Sequence, residues 1–277
     1  MRALSLGYSP CPNDTFIFYA LSHGRIPLEG LQIRERLEDV ETLNTLALDQ
    51  ALDLTKISYH AFGHLRRDYA LLRSGSALGR GCGPLVVARE PREPASLRGC
   101  RIAIPGRLTT ANLLLQLCDQ GFEDVVAMPF HRIPTAVAVG EVDAGVIIHE
   151  SRFTYQQLGL HQVIDLGLWW EADSGLPIPL GGILARRALG VELIERVDNA
   201  LRLSVEFAQD HPEQTRSYIK QHSQELADEV IDSHIALYVN DFTRDLGDEG
   251  GGAITTLLQR AEARGLIPPC SLPLFAR

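Results

Sequence analysis

Apolar and polar positions along the first two thirds of the chain switch back and forth between two periods. The run "ALSLGY" (residues 3–8) has the composition of a strand. A 3.6-residue rhythm follows, with Phe16, Tyr19, Ala20 and His23 on one face, and predicts a helix over residues 15–23. "LQIRERL" alternates with period two, placing Leu31, Ile33, Glu35 and Leu37 on one side of a half-buried strand, and a helix over residues 40–51 comes next. Short strands are expected in "DLTKISYHAF", "YALLRS" and "GPLVVARE". Beyond the polar segment "EPREPASLRG" the alternation restarts: strand "CRIAIPG", helix over 110–120, strand "DVVAMPF", helix over 134–139, strand "AGVIIHE". From residue 191 the pattern is helical, over 191–210, 212–221, 225–240 and 252–264.

Strands that alternate with helices specify an α/β fold with mostly parallel strands. Two segments rich in proline and glycine, "EPREPASLRG" and "LWWEADSGLPIPLGGILARRAL", are read as crossings between domains. They divide the chain into a discontinuous larger domain, residues 1–88 with 181–277, and an inserted smaller α/β domain, residues 89–180. Two domains joined by two crossings lead to the expectation of a ligand cleft between them.

Composition narrows the function classes. At 277 residues, with 45% hydrophobic and 22% charged side chains, the chain has enough apolar material for two packed cores. The net charge of -9, with scattered basic residues, argues against a nucleic-acid partner, which requires a basic footprint. Five cysteines without a C-x-x-C spacing suggest reduced thiols and a cytoplasmic location. The opening residues lack a signal-like apolar core, and no run of about 18 apolar residues suggests a membrane span.

Ligands of open α/β sheets sit beyond the carboxyl ends of the strands, where helix N-termini present free N–H groups. Four such places carry polar residues. In "SPCPNDTF", Asn13 and Asp14 stand where N-caps belong, although one cap does not account for the whole string. In "TKIS", Lys56 and Ser58 flank Ile57; Lys56, one of only two lysines, suits an anionic substrate, or is a solvated surface cation. In "IPGRLTTANLLL", Thr109 and Thr110 open a helix and offer an anion seat, without the spacing of a nucleotide-binding loop. In "GEVDAGVIIHES", His149 ends an apolar strand, where an imidazole can serve as general base. His60 and His64 lie one helical turn apart but have no evident third ligand, so no metal site is expected. Cys11 and Cys82 lie in polar loops, where a Cys-His nucleophile is conceivable, and one of Trp169 and Trp170 could wall a pocket.

The strings "SPCPNDTFIFYAL", "TKIS", "GPLVV", "TTANLLL" and "DAGVIIHESRFTY" together resemble the 1,4-dihydroxy-6-naphthoate synthases of the futalosine route to menaquinone. The resemblance spans most of the first 180 residues. It implies a fold like the type II periplasmic binding proteins and a cofactor-independent lyase, with no metal, acting on cyclic dehypoxanthine futalosine. It also implies that His149 is the proton acceptor and that Lys56, Ile57, Ser58, Thr109 and Thr110 contact the substrate. Asn13 and Asp14 join that set as the lip of the expected cleft. Whether Lys56 or the helix end at Thr110 holds the substrate carboxylate stays open, as does the choice between monomer and homodimer. A chorismate dehydratase-like enzyme of the same pathway and a non-catalytic solute-binding protein are the alternatives.

Overall fold

The computed structural model describes residues 2–223 and 227–276. The chain divides into two compact units, Met1–Gly79 with Pro179–Arg277, and Arg80–Ile178. Among the described residues, eleven strands form two sheets. The first unit supplies β1 (Arg2–Tyr8), β2 (Leu31–Leu37), β3 (Leu54–Ser58), β4 (Tyr69–Leu71) and β5 (Ala77–Gly79). The second supplies β6 (Leu85–Ala88), β7 (Ile102–Ile104), β8 (Val125–Ala127), β9 (Ala144–Ile147) and β10 (His161–Asp165), and β11 (Ile178–Arg186) then returns to the first sheet.

In the first unit the strand order is β2-β1-β3-β11-β4, with β5 on β11. β1 lies parallel to β2 and β3, whereas β11 runs antiparallel to β3 with Gly181 opposite Ser58. Leu4, Leu6 and Tyr8 of β1 are buried with Leu54, Ile183 and Ala185. The helix Pro12–Ser22 packs against the long helix Val191–Asp210, where Ser204 Oγ accepts from Leu21 N at 3.0 Å and donates to Ile17 O at 2.6 Å. Every residue from Pro12 to Leu21 is buried, so this helix is covered on all sides. That explains why its apolar face was a weak guide to its start. It begins at Pro12 rather than residue 15, because a proline at the first helical position gives up an N–H that had no partner to find.

The second unit has the order β10-β6-β9-β7-β8. β6 is antiparallel to both β9 and β10, and β7 is parallel to β8 and β9. Leu85, Val87, Ala103 and Ile147 pack with Ile133 and Val137 of the helix Ile133–Val139.

Both crossings differ from the sequence-based boundaries. The first falls at Gly79/Arg80 rather than after residue 88, because Leu85–Ala88 bonds to β9 and β10 and therefore belongs to the second sheet. "EPREPASLRG" lies wholly within the second unit and contains a 3-10 turn at Pro94–Leu97. The expected return crossing is regular structure instead, helix to Ser174 and then strand β11 from Ile178: the helix Leu166–Ser174 is capped by Asp165, and buried Trp170 donates its indole N–H to Pro177 O at 3.1 Å. Trp170 is thus a core residue of the second unit.

The C-terminal helices after Val191–Asp210 are Pro212–His222, Asp228–Tyr238, Asp241–Arg244 and Gly247–Ala263. The expected start at residue 225 lies outside the described residues. The final helix begins five residues before the expected 252, through a glycine-rich stretch. Asp248 and Glu249 favour its N-terminus, and at Gly250 an added Cβ would come within 2.9 Å of Leu246 Cδ2. Among the described residues no helix is long and apolar enough to cross a membrane.

One close backbone approach braces the second unit. A Cβ on Gly83 would lie 2.3 Å from both Cα and N of Gly167, at the start of the helix capped by Asp165. Gly83→Ala is expected to cost about 1–3 kcal/mol through overpacking. Thermal unfolding monitored by circular dichroism checks this, and an unchanged midpoint would contradict the packing.

Candidate active site

The polar residues singled out from the sequence gather at one edge of each sheet, and each group is built within its own unit. In the first unit, β1 and β3 run side by side and both end at this edge, where antiparallel β11 begins. β1 feeds directly into "SPCPND". Cys11 is the N-cap of the helix and makes no side-chain capping bond, so neither Asn13 nor Asp14 is the cap. Both lie inside the first turn, where their side chains are free for other partners.

Asp14 is the hub of this edge. Its Oδ1 accepts from Lys56 Nζ at 2.7 Å and from Asn13 Nδ2 at 2.8 Å, while its Oδ2 accepts from Ser9 Oγ at 2.7 Å and Ser9 N at 3.2 Å. The side chains of Lys56 and Asp14 are only 8% and 1% exposed, so Lys56 is not a solvated surface cation. A pair so buried persists only because the remaining lone pairs of the carboxylate are satisfied as well. Asn13 Oδ1 in turn faces His234 Nε2 at 3.0 Å. Ile57 is fully buried between Lys56 and Ser58, and Ser58 N donates to Asn44 Oδ1 at 2.9 Å. Gly181 lets β11 approach this edge, since a Cβ there would lie 2.5 Å from Ile57 O.

In the second unit the parallel strands β7, β9 and β10 end at one edge and antiparallel β6 begins there. Thr109 caps the helix Thr110–Cys118: its Oγ1 accepts from Asn112 N at 3.2 Å and donates to Gly106 O at 2.7 Å. Thr110 follows, also buried. Asn112 Nδ2 donates to Arg107 O at 2.8 Å, which turns Oδ1 away from that loop and leaves it buried with no hydrogen-bond partner among the described residues.

His149 stands two residues beyond β9 in a left-handed conformation, φ +55°. A branch-free backbone would take this conformation freely, but a histidine there carries strain, of a kind that clusters at functional positions. Its ring meets Phe130 edge-on, centroids 5.0 Å apart. The next residue, Glu150, is 9% exposed, and its Oε2 is a second buried acceptor without a partner among the described residues. Such an orphaned acceptor costs about 1–3 kcal/mol, which a donor group on a ligand would recover.

Arg152 ties the edge together. It donates to the carbonyls of Gly83 and Gly81 and pairs with Asp165 at 2.9 Å, while Asp165 caps the helix Leu166–Ser174 through Gly167 N and Leu168 N. The Cys82 thiol is pushed up to about 12, mainly by burial and also by nearby Glu171 and Asp165, against the pull of Arg152. It stays protonated at neutral pH and does not serve as a thiolate nucleophile. His60 is buried with its ring 5.6 Å from that of His64, whose pKa is lowered by burial and by Arg66.

The residues the sequence did not single out are Ser9, Asn44, Asn112, Arg152 and His234. Asn44 and His234 stand among apolar neighbours on expected helices, which was the only available hint. Nothing in spacing links His234 to Asn13 across 221 positions.

Comparison with known proteins agrees with this architecture. A family described as menaquinone biosynthesis matches residues 4–263. The chain is 57% identical to a 1,4-dihydroxy-6-naphtoate synthase of Thermus thermophilus, covering 99% of this chain and 100% of that one. It is 49% identical to the protein of the same name from Streptomyces coelicolor, covering 96% and 95%. A crystal structure of an Archaeoglobus fulgidus protein superposes with a TM-score of 0.90 at 42% identity, covering 96% and 98%. The alkanesulfonate-binding protein of Xanthomonas axonopodis superposes at 0.72 with 17% identity, covering 99% and 96%, and shares the fold alone. The chain therefore has a periplasmic-binding-protein-like α/β fold and belongs to the menaquinone-biosynthesis family.

Proposed function

We propose that this protein is a 1,4-dihydroxy-6-naphthoate synthase: a carbon–carbon lyase that converts cyclic dehypoxanthine futalosine into the naphthoate used for menaquinone. The observation that carries this reading is identity over essentially the whole chain with two proteins of that name. The site chemistry supports it. The substrate joins an aromatic carboxylate to a hydroxylated ring, so it needs a cation, acceptors for hydroxyl groups and a base.

Each requirement has a residue. Lys56 supplies the buried positive charge, held ready by Asp14, with Ser58 and the Ile57 backbone beside it. Thr109 and Thr110 offer hydroxyls and helix N–H groups, and the orphaned oxygens of Asn112 and Glu150 are suited to accept from substrate hydroxyls. His149 is the proposed base. It takes the proton from a ring hydroxyl; the resulting alkoxide re-forms a carbonyl as the adjacent carbon–carbon bond breaks, the bonding pair passes to the substrate's conjugated carbonyl as an enolate, and tautomerisation of that enolate to the aromatic ring draws the cleavage forward. The strained backbone at His149 and the edge-on contact with the Phe130 ring favour one direction of the imidazole, as a general base requires. We assign the reaction to the cytoplasm, a reducing compartment that suits five reduced cysteines.

His149→Ala is expected to lower kcat by roughly 100- to 10,000-fold, the usual contribution of a general base, while substrate affinity by isothermal titration changes little. Full turnover in that variant, followed by naphthoate absorbance, would remove His149 from the mechanism. Lys56→Met is expected to raise KM by about 10- to 100-fold with a small effect on kcat, because a charge-assisted contact to the carboxylate is lost. Initial rates over a range of substrate concentrations separate the two effects.

A further inference from the structure

We propose that His234, in the helix Asp228–Tyr238, is a positioning residue that acts through Asn13 on the Asp14–Lys56 pair. The inference rests on the reading that Asn13, Asp14 and Lys56 serve the substrate. Its starting point is the acceptor-only nature of an ionised carboxylate. Asp14 Oδ1 receives both Lys56 Nζ at 2.7 Å and Asn13 Nδ2 at 2.8 Å. The Asn13 amide is therefore turned with its NH2 toward Asp14 and its carbonyl oxygen toward His234. A carbonyl oxygen only accepts, so the ring nitrogen 3.0 Å away donates, and His234 carries a proton on Nε2.

His234 is fully buried on the apolar stripe formed with Ile231 and Tyr238, whose ring lies 4.7 Å from its own. A hydrophobic residue would fill that position at lower desolvation cost. What histidine adds there is one directed N–H, from the C-terminal helices to the first turn of the first helix.

The consequence for the site is electrostatic. Asn13 and Lys56 share one oxygen of Asp14, and the Asn13 donor draws off part of that oxygen's charge. When the amide loses its anchor at His234, Asp14 Oδ1 is left to Lys56 alone, while Oδ2 keeps its bonds from Ser9. The pair tightens, and less of the ammonium's field is available to a substrate carboxylate. The effect falls on binding and not on the step that His149 performs.

Steady-state kinetics with cyclic dehypoxanthine futalosine tests this on His234→Leu, His234→Met, His234→Gln, Asn13→Ala and the double variant His234→Leu/Asn13→Ala. Each protein is first checked for a cooperative thermal transition. Leu and Met, which remove the donor, are expected to raise KM about tenfold and hold kcat within about twofold. Gln, whose amide N–H has a similar reach, is expected to stay within about threefold of the parent KM, and the double variant to match Asn13→Ala alone. If the Leu protein does not fold, the Met and Gln proteins decide the matter. An unchanged KM in the folded Leu or Met protein while Asn13→Ala raises it overturns the role of His234 and leaves the substrate reading in place. Additive effects in the double variant, or a Gln protein as impaired as Leu, also overturn it. An unchanged KM in Asn13→Ala overturns both.

Discussion

The buried ion pair between Lys56 and Asp14 is the constraint around which the first unit is arranged. A lysine ammonium taken out of water requires a carboxylate at contact distance, and that carboxylate requires donors for its other lone pairs. Ser9 and Asn13 provide them from the same turn. Meeting this demand explains why the loop after β1 is short, polar and braced by Pro12, and why the helix begins inside it. It also explains why the surrounding groups reach so far along the chain: Asn44 secures Ser58 and His234 secures Asn13. The cation ends up fixed and largely dehydrated, the state in which it attracts an anion most strongly.

The second unit meets a different demand. Its edge carries a histidine in a strained conformation and two acceptors without a hydrogen-bond partner among the described residues, each a cost to folding. The surrounding framework has to hold them in place. Arg152 does much of this, since one guanidinium bonds the loop before β6, reaches Asp165, and through Asp165 steadies the start of the next helix. The Gly83–Gly167 approach packs the same loop against that helix. Strain on one loop is thus offset by bonds on its neighbours.

Proteins with 17% identity share this fold, so the architecture does not by itself specify chemistry. Here the edges carry the specificity. A binding protein needs only complementary polar groups, whereas a lyase needs a base held in a defined direction and a charge held where the product anion forms. Under the reading proposed above, the strained His149 imidazole is that base, and the buried Lys56 ammonium binds the substrate carboxylate.

Much of this was legible in the sequence. Alternating periods identify the α/β class, since a strand and a helix can each bury one face only at their own spacing. The polar residues at Asn13, Thr109 and His149 follow the ends of β1, β7 and β9, whereas Lys56 lies in the middle of buried β3, where its pairing with Asp14 makes the charge tolerable. Local pattern failed where burial was complete. The first helix has no exposed face to set its phase, and β6 reads the same whichever sheet it joins. The boundary at Gly79/Arg80 follows from pairing partners at residues 144–147 and 161–165, which no local string encodes. The sequence alone singled out the candidate polar side chains Asn13, Asp14, Lys56, Thr109, Thr110 and His149. Tertiary structure decided what each is bonded to, and so whether Lys56 is a dehydrated charge or a surface one, and whether His234 is filler or anchor, because hydrogen bonds across 42 and 221 residues depend on packing and leave no local trace.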